Sequence, residues 1–157
     1  MNEISGKNSK KSINGILNIS INLYAMKPKA IVFDLDGTLC LKEEWGMYNY
    51  NLEDTVNTEL RSILNEYRMK NYRIIILTGR KANDHLIETQ VWLNNNYILY
   101  DRLYLQEWNT AKQNAVYKKE KLQLLQQEFD IVLMYDDYPE IEKVCQELRI
   151  PFTLVTH

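Results

Sequence analysis

The sequence predicts an α/β protein in which a parallel β-sheet is covered by helices on both faces, a three-layer α/β/α arrangement of the Rossmann-like type. Two observations lead to this prediction. Short, continuous apolar runs alternate along the chain with longer segments of helical periodicity, and strands that alternate with helices pair in parallel. The 157 residues show no internal repeat and suit one domain with a core of its own.

The predicted strands and helices follow one another from Lys29 onward. The strands are apolar throughout, as in the run 74–77, which is typical of strands buried on both faces. The helices repeat apolar residues every three or four positions, as Val56, Leu60 and Leu64 do. The predicted strands are 30–35, 73–77, 103–105, 131–135 and 152–155, and the predicted helices are 52–70, 82–94, 111–127 and 140–148.

Residues 1–26 are interpreted as an N-terminal extension and residues 27–157 as the single domain. Within the extension, Leu17, Ile19, Ile21 and Leu23 alternate with polar residues, which is the period of a half-buried strand. An added edge strand and a disordered extension both fit this pattern.

Composition and charge narrow the class of protein. Residues 1–29 carry a net charge of +4 and the whole chain −2, so the rest of the chain carries −6. An acidic body does not favour nucleic-acid binding. No stretch has the ~18 apolar residues of a membrane span. Cys40 and Cys145 have no metal-type spacing, so we expect reduced thiols and a cytoplasmic location.

Two acids directly follow the first predicted strand. Asp34 and Asp36 stand in the segment Asp-Leu-Asp-Gly-Thr, and ligands of a parallel sheet bind beyond the carboxyl ends of its strands. Acids two residues apart leave a strand on the same face, where carboxylates about 4 Å apart repel each other by about 4 kcal/mol at an effective dielectric of about 20. A metal ion, a proton or a turn at Gly37 must therefore relieve the repulsion.

Three further signals fall at the same edge of the predicted sheet. Thr78 and Gly79 end the second strand and offer the hydroxyl and N–H groups that a phosphate oxygen needs, although Thr-Gly after a strand is also common in ordinary turns. Lys118 lies roughly 25° from the centre of the apolar stripe of its helix, so it points inward, where it either has an anionic partner or extends its amine toward the rim of the core. Asp136 and Asp137 end another strand and suit Mg²⁺, although Asp137 also suits a helix N-cap. Together these groups match the needs of phosphoryl transfer.

In order along residues 30–155, these motifs resemble the four motifs of the haloacid dehalogenase (HAD) superfamily. The segment 34–38 resembles the first motif, and 78–80 resembles the second in the form that many phosphatases use. Lys118 resembles the lysine of the third motif, with Lys119 as an alternative, and Asp136 with Asp137 resembles the fourth.

The resemblance implies a HAD-like fold and a role for each residue. Asp34 is the expected nucleophile, which forms an aspartyl-phosphate, and Asp36 is the expected general acid and base. Thr78 and Lys118 are expected to hold the phosphate. The other expected substrate-binding residues are Gly37, Thr38, Gly79 and Arg80. Mg²⁺ is the expected cofactor, bound by Asp34, by the backbone carbonyl of Asp36, and by Asp136 or Asp137.

The spacing of the motifs leaves no room for a full cap domain, so we expect an open site. The segments 89–93 and 100–105 are also similar to the phosphatase half of phage-type polynucleotide kinase/phosphatases, and the chain has no phosphate-binding loop of a kinase half. Gln106, Glu107 and Tyr138 stand where that resemblance leads us to expect basic residues, which weakens a nucleic-acid assignment.

Three hypotheses of function remain open at this point. The first is a phosphomonoesterase for nucleic-acid 3′-ends or nucleotides, and the second is a phosphatase for a small metabolite or a phosphoprotein. The third is a non-catalytic binding module on the same fold. The expected partner is a phosphorylated substrate and not a membrane. Trp45, Tyr48 and Tyr50 follow the first motif, where they could stack on a base or simply pack a loop.

Overall fold

The computed structural model describes residues 26–42, 52–107 and 113–156. Seven strands and four helices lie within these ranges. The strands are β1 (Lys29–Phe33), β2 (Cys40–Leu41), β3 (Thr55–Val56), β4 (Arg73–Lys81), β5 (Arg102–Gln106), β6 (Asp130–Asp136) and β7 (Phe152–Leu154). The helices are α1 (Thr58–Met69), α2 (Ala82–Asn95), α3 (Asn114–Glu128) and α4 (Pro139–Leu148).

The main sheet has five strands in the order β5-β4-β1-β6-β7, and every neighbouring pair is parallel. The chain first builds outward from β1 through β4 to β5, then crosses to the other side of β1 through α3 and continues with β6 and β7. The direction of winding therefore changes at β1, and such a switch point is where parallel sheets open a crevice for ligands.

Apolar cores on the two faces of the sheet explain why its strands are apolar throughout. Ala30 and Val32 of β1 face one core, together with the buried side of α3 and α4, which includes Leu122 and Ile141. Ile31 and Phe33 face the other core, which includes residues of α1 and α2. Alternate residues of one strand thus serve opposite cores, and the protein has the predicted three layers.

The predicted fold class is confirmed, and the structure adjusts one boundary substantially. The first helix was expected from residue 52, but α1 begins at Thr58. The preceding Thr55–Val56 pairs with Cys40–Leu41 in a small antiparallel hairpin that the sequence pattern does not predict. Asn57 then caps α1, because its side-chain oxygen accepts a hydrogen bond from the backbone N–H of Leu60 at 3.1 Å. The other predicted strands and helices appear with boundaries that differ from the prediction by at most four residues.

Several predictions fall outside the described residues. The possible edge strand at 17–23 and the aromatic residues Trp45, Tyr48 and Tyr50 belong to this group. The proposed boundary between an extension and a domain at residue 26 stays a prediction. In the described ranges, no helix is long and apolar enough to cross a membrane.

Candidate active site

The predicted acids, threonine and lysine converge at the carboxyl edge of the sheet. Asp34 directly follows β1, Thr78 lies within β4, and Asp136 is the last residue of β6. With Lys118 of α3, these side chains line an open cleft of about 720 Å³. Because β4, β1 and β6 are adjacent, three segments that are far apart in the sequence present polar groups side by side.

Lys118 lies at the centre of this arrangement. Its side chain is 1% exposed, and its Nζ donates to Asp34 Oδ1 at 2.5 Å and to Asp136 Oδ2 at 2.7 Å. The neighbouring Lys119 instead pairs with Glu147 on the surface. The structure therefore places Lys118 in the cleft and Lys119 outside it.

Burial dominates the electrostatics of the two carboxylates. It raises the pKa of Asp34 to about 7, with the negative charge of Asp136 adding to the effect and Lys118 opposing it. Burial likewise raises the pKa of Asp136 against the influence of Lys118. Burial alone would lower the pKa of Lys118, but the two carboxylates outweigh it and raise that pKa above its usual range. The lysine is therefore a permanent cation between two acids that hold protons more tightly than usual.

Both carboxylate oxygens of Asp34 have a partner. Oδ1 accepts from Lys118, and Oδ2 accepts from the hydroxyl of Thr38 at 3.1 Å. Thr38 is fully buried, so its hydroxyl, expected to bind substrate, here orients Asp34. Thr78 is also buried, and its Oγ1 accepts from the backbone N–H of Arg80 at 3.3 Å.

Three carboxylates are close enough to share one metal ion. One oxygen each from Asp34, Asp136 and Asp137 lies within 4.8 Å of the others. An all-carboxylate set is the donor chemistry that Mg²⁺ accepts, so the residues present fit the expected cofactor. Gly37 makes the arrangement possible, because it has a φ of +77° and a Cβ there would meet Asp137 Oδ2 at 2.0 Å.

The side chain of Asp36 is not one of these three carboxylates and instead forms an ion pair with Arg80. Arg80 donates from Nε to Asp36 Oδ2 at 2.8 Å and from Nη2 to Asp36 Oδ1 at 2.6 Å. The guanidinium, expected to bind substrate, therefore has a partner within the protein. The backbone carbonyl of Asp36 as a metal ligand stays a prediction.

The structure also brings residues into the cleft that were not predicted from the sequence. Asn114 precedes Lys118 by one helical turn, so the spacing that identified the lysine could have found it. Its Oδ1 is buried without a hydrogen-bond partner and lies 2.6 Å from where a Cβ on Gly79 would stand, which accounts for glycine at that position. The remaining lining residues that were not predicted are Lys81, Asp84, His85 and Gln113, and the cleft also includes Gln106 and Tyr138, which were noted above for their lack of positive charge.

We expect the metal-free protein to lose stability as the pH rises from about 4 to about 7. The pKa of Asp34 is about 7 in the folded protein against an ordinary value of 3.8. A pKa raised by folding contributes stability at low pH, which is lost as the pH rises through the folded value. Urea unfolding in chelator at about pH 5 and about pH 8 measures the change, for which we expect a decrease on the order of 2 kcal/mol.

Asp34→Asn is the control for this measurement, since it removes one of the two carboxyl groups whose pKa is raised and should make the dependence on pH weaker. An unfolding free energy of the native protein that stays constant or increases from pH 5 to pH 8 would contradict the assignment of a raised pKa to Asp34.

An inward lysine between two strand-end aspartates, beside a metal-binding set of carboxylates, is suited to phosphoryl transfer. With the parallel sheet and the open cleft, the class of protein defined here is an uncapped HAD-type phosphatase domain. Residues 28–156 match the family described as the phosphatase domain of the polynucleotide kinase PNKP, and the chain belongs to that family. The resemblance inferred from the motifs is thereby confirmed.

Solved structures agree with this assignment. A chain of the Pnkp1/Rnl/Hen1 RNA repair complex superimposes with a TM-score of 0.76 at 29% identity, covering 82% of this chain and 42% of the other. A second structure of a Pnkp1/Rnl/Hen1 complex has a TM-score of 0.76 at 30% identity, with 82% and 46% covered. This chain therefore spans less than half the length of either of those chains.

A more distant structure supports the fold alone. The class C acid phosphatase from Bacillus anthracis with tungstate bound has a TM-score of 0.61 at 19% identity, covering 89% of this chain and 72% of that one.

Proposed function

We propose that this domain hydrolyses phosphomonoesters through an aspartyl-phosphate on Asp34 with the help of Mg²⁺, and that its substrates are nucleic-acid 3′-ends or nucleotides. The single observation that most supports the chemistry is the position of Lys118 between Asp34 and Asp136. The positive charge of Lys118 offsets the negative charge of Asp34 and Asp136, to which a bound phosphate would add more.

In the first step, a carboxylate oxygen of Asp34 attacks phosphorus and the bond from phosphorus to the leaving oxygen breaks. Asp36 donates its proton to the leaving alcohol. In the second step, Asp36 takes a proton from water while the water oxygen attacks the phosphorus of the aspartyl-phosphate. The bond from phosphorus to Asp34 then breaks, which returns the carboxylate and releases inorganic phosphate.

The protein's own groups prepare both steps. Lys118 and Thr38 hold the two oxygens of Asp34, so the nucleophile is oriented before substrate arrives. The carboxylates of Asp34, Asp136 and Asp137, with the backbone carbonyl of Asp36, would hold Mg²⁺. When bound, the ion would neutralise charge on the transferring phosphoryl group. Thr78 and the backbone around Gly79 line the cleft where the phosphate oxygens would lie.

Family membership and the open cleft support a nucleic-acid or nucleotide substrate. The charge of the lining argues for a terminal phosphate rather than a long bound strand. The described lining residues include five aspartates but only three lysine or arginine side chains. This part of the cleft therefore lacks the basic groove that would bind along a nucleic-acid backbone. This same observation favours the alternative hypothesis, a phosphatase for a small metabolite or phosphoprotein. Family membership disfavours the hypothesis of a non-catalytic binding module.

Phosphate release from a panel of substrates tests the proposal. The panel contains p-nitrophenyl phosphate, nucleoside 3′- and 5′-monophosphates, phosphoserine and a 3′-phosphorylated oligonucleotide. We expect hydrolysis in Mg²⁺, a loss of at least about 10²-fold in chelator, and the highest kcat/KM on a nucleoside 3′-phosphate or the oligonucleotide. Faster hydrolysis of phosphoserine would reject the proposed substrate class, and undiminished activity in chelator would reject the metal.

A further inference from the structure

We propose that Arg80 is a positioning residue for Asp36, which it holds in the orientation needed to protonate the leaving group, and that it is not a ligand of the substrate phosphate. This inference rests on the proposed function, since it concerns the proton-transfer step of the same site. It assigns the arginine of the Thr78-Gly79-Arg80 segment a role different from the one that its position in the motif suggests.

The hydrogen bonds show which edge of the guanidinium is used. Nε and Nη2 form the fork with which arginine grips a planar anion, and both donate to Asp36, at 2.8 Å and 2.6 Å. A phosphate held side-on would need this same edge, and a phosphate held end-on would need Nη1 and Nη2, which donate to Thr89 and Asp36. In the described structure the fork is therefore engaged with a carboxylate of the protein.

The far side of the guanidinium is anchored as well. Nη1 donates to the hydroxyl of Thr89 on α2 at 3.0 Å, and Nη2 lies 3.8 Å from the Sγ of Cys40. Thr89 is fully buried and Arg80 is 3% exposed. An arginine held by a helix on one side and a carboxylate on the other has little freedom to swing toward a substrate.

The exposure of the two partners is unequal, which indicates the direction in which the pair acts. The side chain of Asp36 is 27% exposed and that of Arg80 only 2%. Lys42 approaches Asp36 Oδ1 from the more open side, at 3.5 Å. The carboxylate is therefore the more exposed member of the pair, and the nearly buried arginine donates to both of its oxygens.

This arrangement predicts that replacing Arg80 slows the reaction only at the steps in which Asp36 transfers a proton. Protonation of the leaving oxygen is essential for an alkyl phosphate, because an alkoxide is a strongly basic leaving group. It contributes little for p-nitrophenyl phosphate, because p-nitrophenolate leaves without a proton. A phosphate ligand or a purely structural residue would instead affect both substrates by the same factor.

The test is the ratio of kcat/KM for a nucleoside 3′-phosphate to that for p-nitrophenyl phosphate, in Mg²⁺. Arg80→Lys keeps the charge but removes the fork. We expect kcat/KM on the alkyl ester to fall about 10²-fold and kcat/KM on the aryl ester to fall less than about 5-fold, because kcat/KM ends with the departure of the leaving group and excludes the later step in which Asp36 activates water. Arg73→Lys is the matched control, because Arg73 lies on the same strand and pairs with Asp101 on the surface. It should leave the ratio unchanged.

Two further variants keep the proposal open to refutation if Arg80→Lys does not fold. Thr89→Val is nearly isosteric and removes only the acceptor for Nη1, so the ratio should move in the same direction by roughly 3- to 10-fold. In an Asp36→Asn background, Arg80→Lys should change the ratio no further, because a residue that acts through Asp36 has no effect once Asp36 is absent.

The role of Arg80 would be overturned, with the proposed function intact, by any of three results. These are equal losses of kcat/KM on both substrates, a rise in KM on both, or a ratio of kcat/KM that Thr89→Val leaves unchanged. If the native protein hydrolyses neither of the two esters, the proposed function is overturned, and this inference with it.

Discussion

Asp34→Asn is expected to reduce phosphate release at least about 10⁴-fold on every substrate, because the amide cannot form the aspartyl-phosphate. The substitution should not unfold the protein. Lys118 keeps its second partner, Asp136, at 2.7 Å, and the variant removes one of two crowded negative charges. The measurements are steady-state phosphate release in Mg²⁺ and acid-quenched mass spectrometry of the intact protein. We expect one phosphoryl group trapped on the native protein and none on the variant.

Asp130→Asn is the matched control for this experiment. Asp130 is exposed and is the first residue of β6, at the other end of the strand from Asp136. The same chemical change there should leave turnover within about 2-fold of native. Turnover by Asp34→Asn within about 10-fold of native would reject Asp34 as the nucleophile. A phosphoryl group found on the variant would lead to the same conclusion.

Lys118→Met is expected to damage both stability and activity. The change leaves Asp34 and Asp136 buried without their shared cation, and breaking a buried ion pair by removing one partner costs about 3–5 kcal/mol. Urea unfolding in chelator measures this loss. Mg²⁺ should restore part of the stability, because a bound cation would again neutralise the carboxylates. Turnover in Mg²⁺ should still be lower by at least about 10²-fold, since the phosphate loses a cationic partner.

Lys119→Met provides a control one residue away on the same helix. Its pair with Glu147 lies on the surface, where ion pairs contribute about 0–1 kcal/mol. Stability and turnover should therefore stay close to native. Equal losses of stability and turnover in the two variants would contradict the central position of Lys118. A larger loss in Lys119→Met would indicate that Lys119, and not Lys118, serves the active site.

Much of the fold and part of the candidate site could be predicted because burial leaves periodic traces in the sequence. Strands flanked by helices on both faces must be apolar throughout, and the runs at 30–33 and 74–77 are. The inward direction of Lys118 followed from helical geometry alone, since one residue turns a side chain by about 100°. These are properties of single segments, so they needed no knowledge of how the segments pack.

The hairpin of Cys40–Leu41 and Thr55–Val56 was missed for the opposite reason. Each strand has only two residues, which is too short for an alternating pattern, and apolar Val56 also fitted the helical pattern that continues through Leu60. Only the pairing of two segments fourteen or more residues apart distinguishes the two interpretations.

The sequence by itself determined the parallel α/β architecture and the acids at the strand ends, because each depends on local periodicity or on the order of strands, whereas the choice of Lys118 over Lys119 came from the structure. The tertiary structure alone decided how these groups pair. Arg80 engages Asp36 across 44 residues, and Thr38 turns from the expected substrate contact to Asp34. Such pairings depend on strand register and side-chain rotamers, to within about 1 Å. They are therefore defined only when all the packed elements are in place.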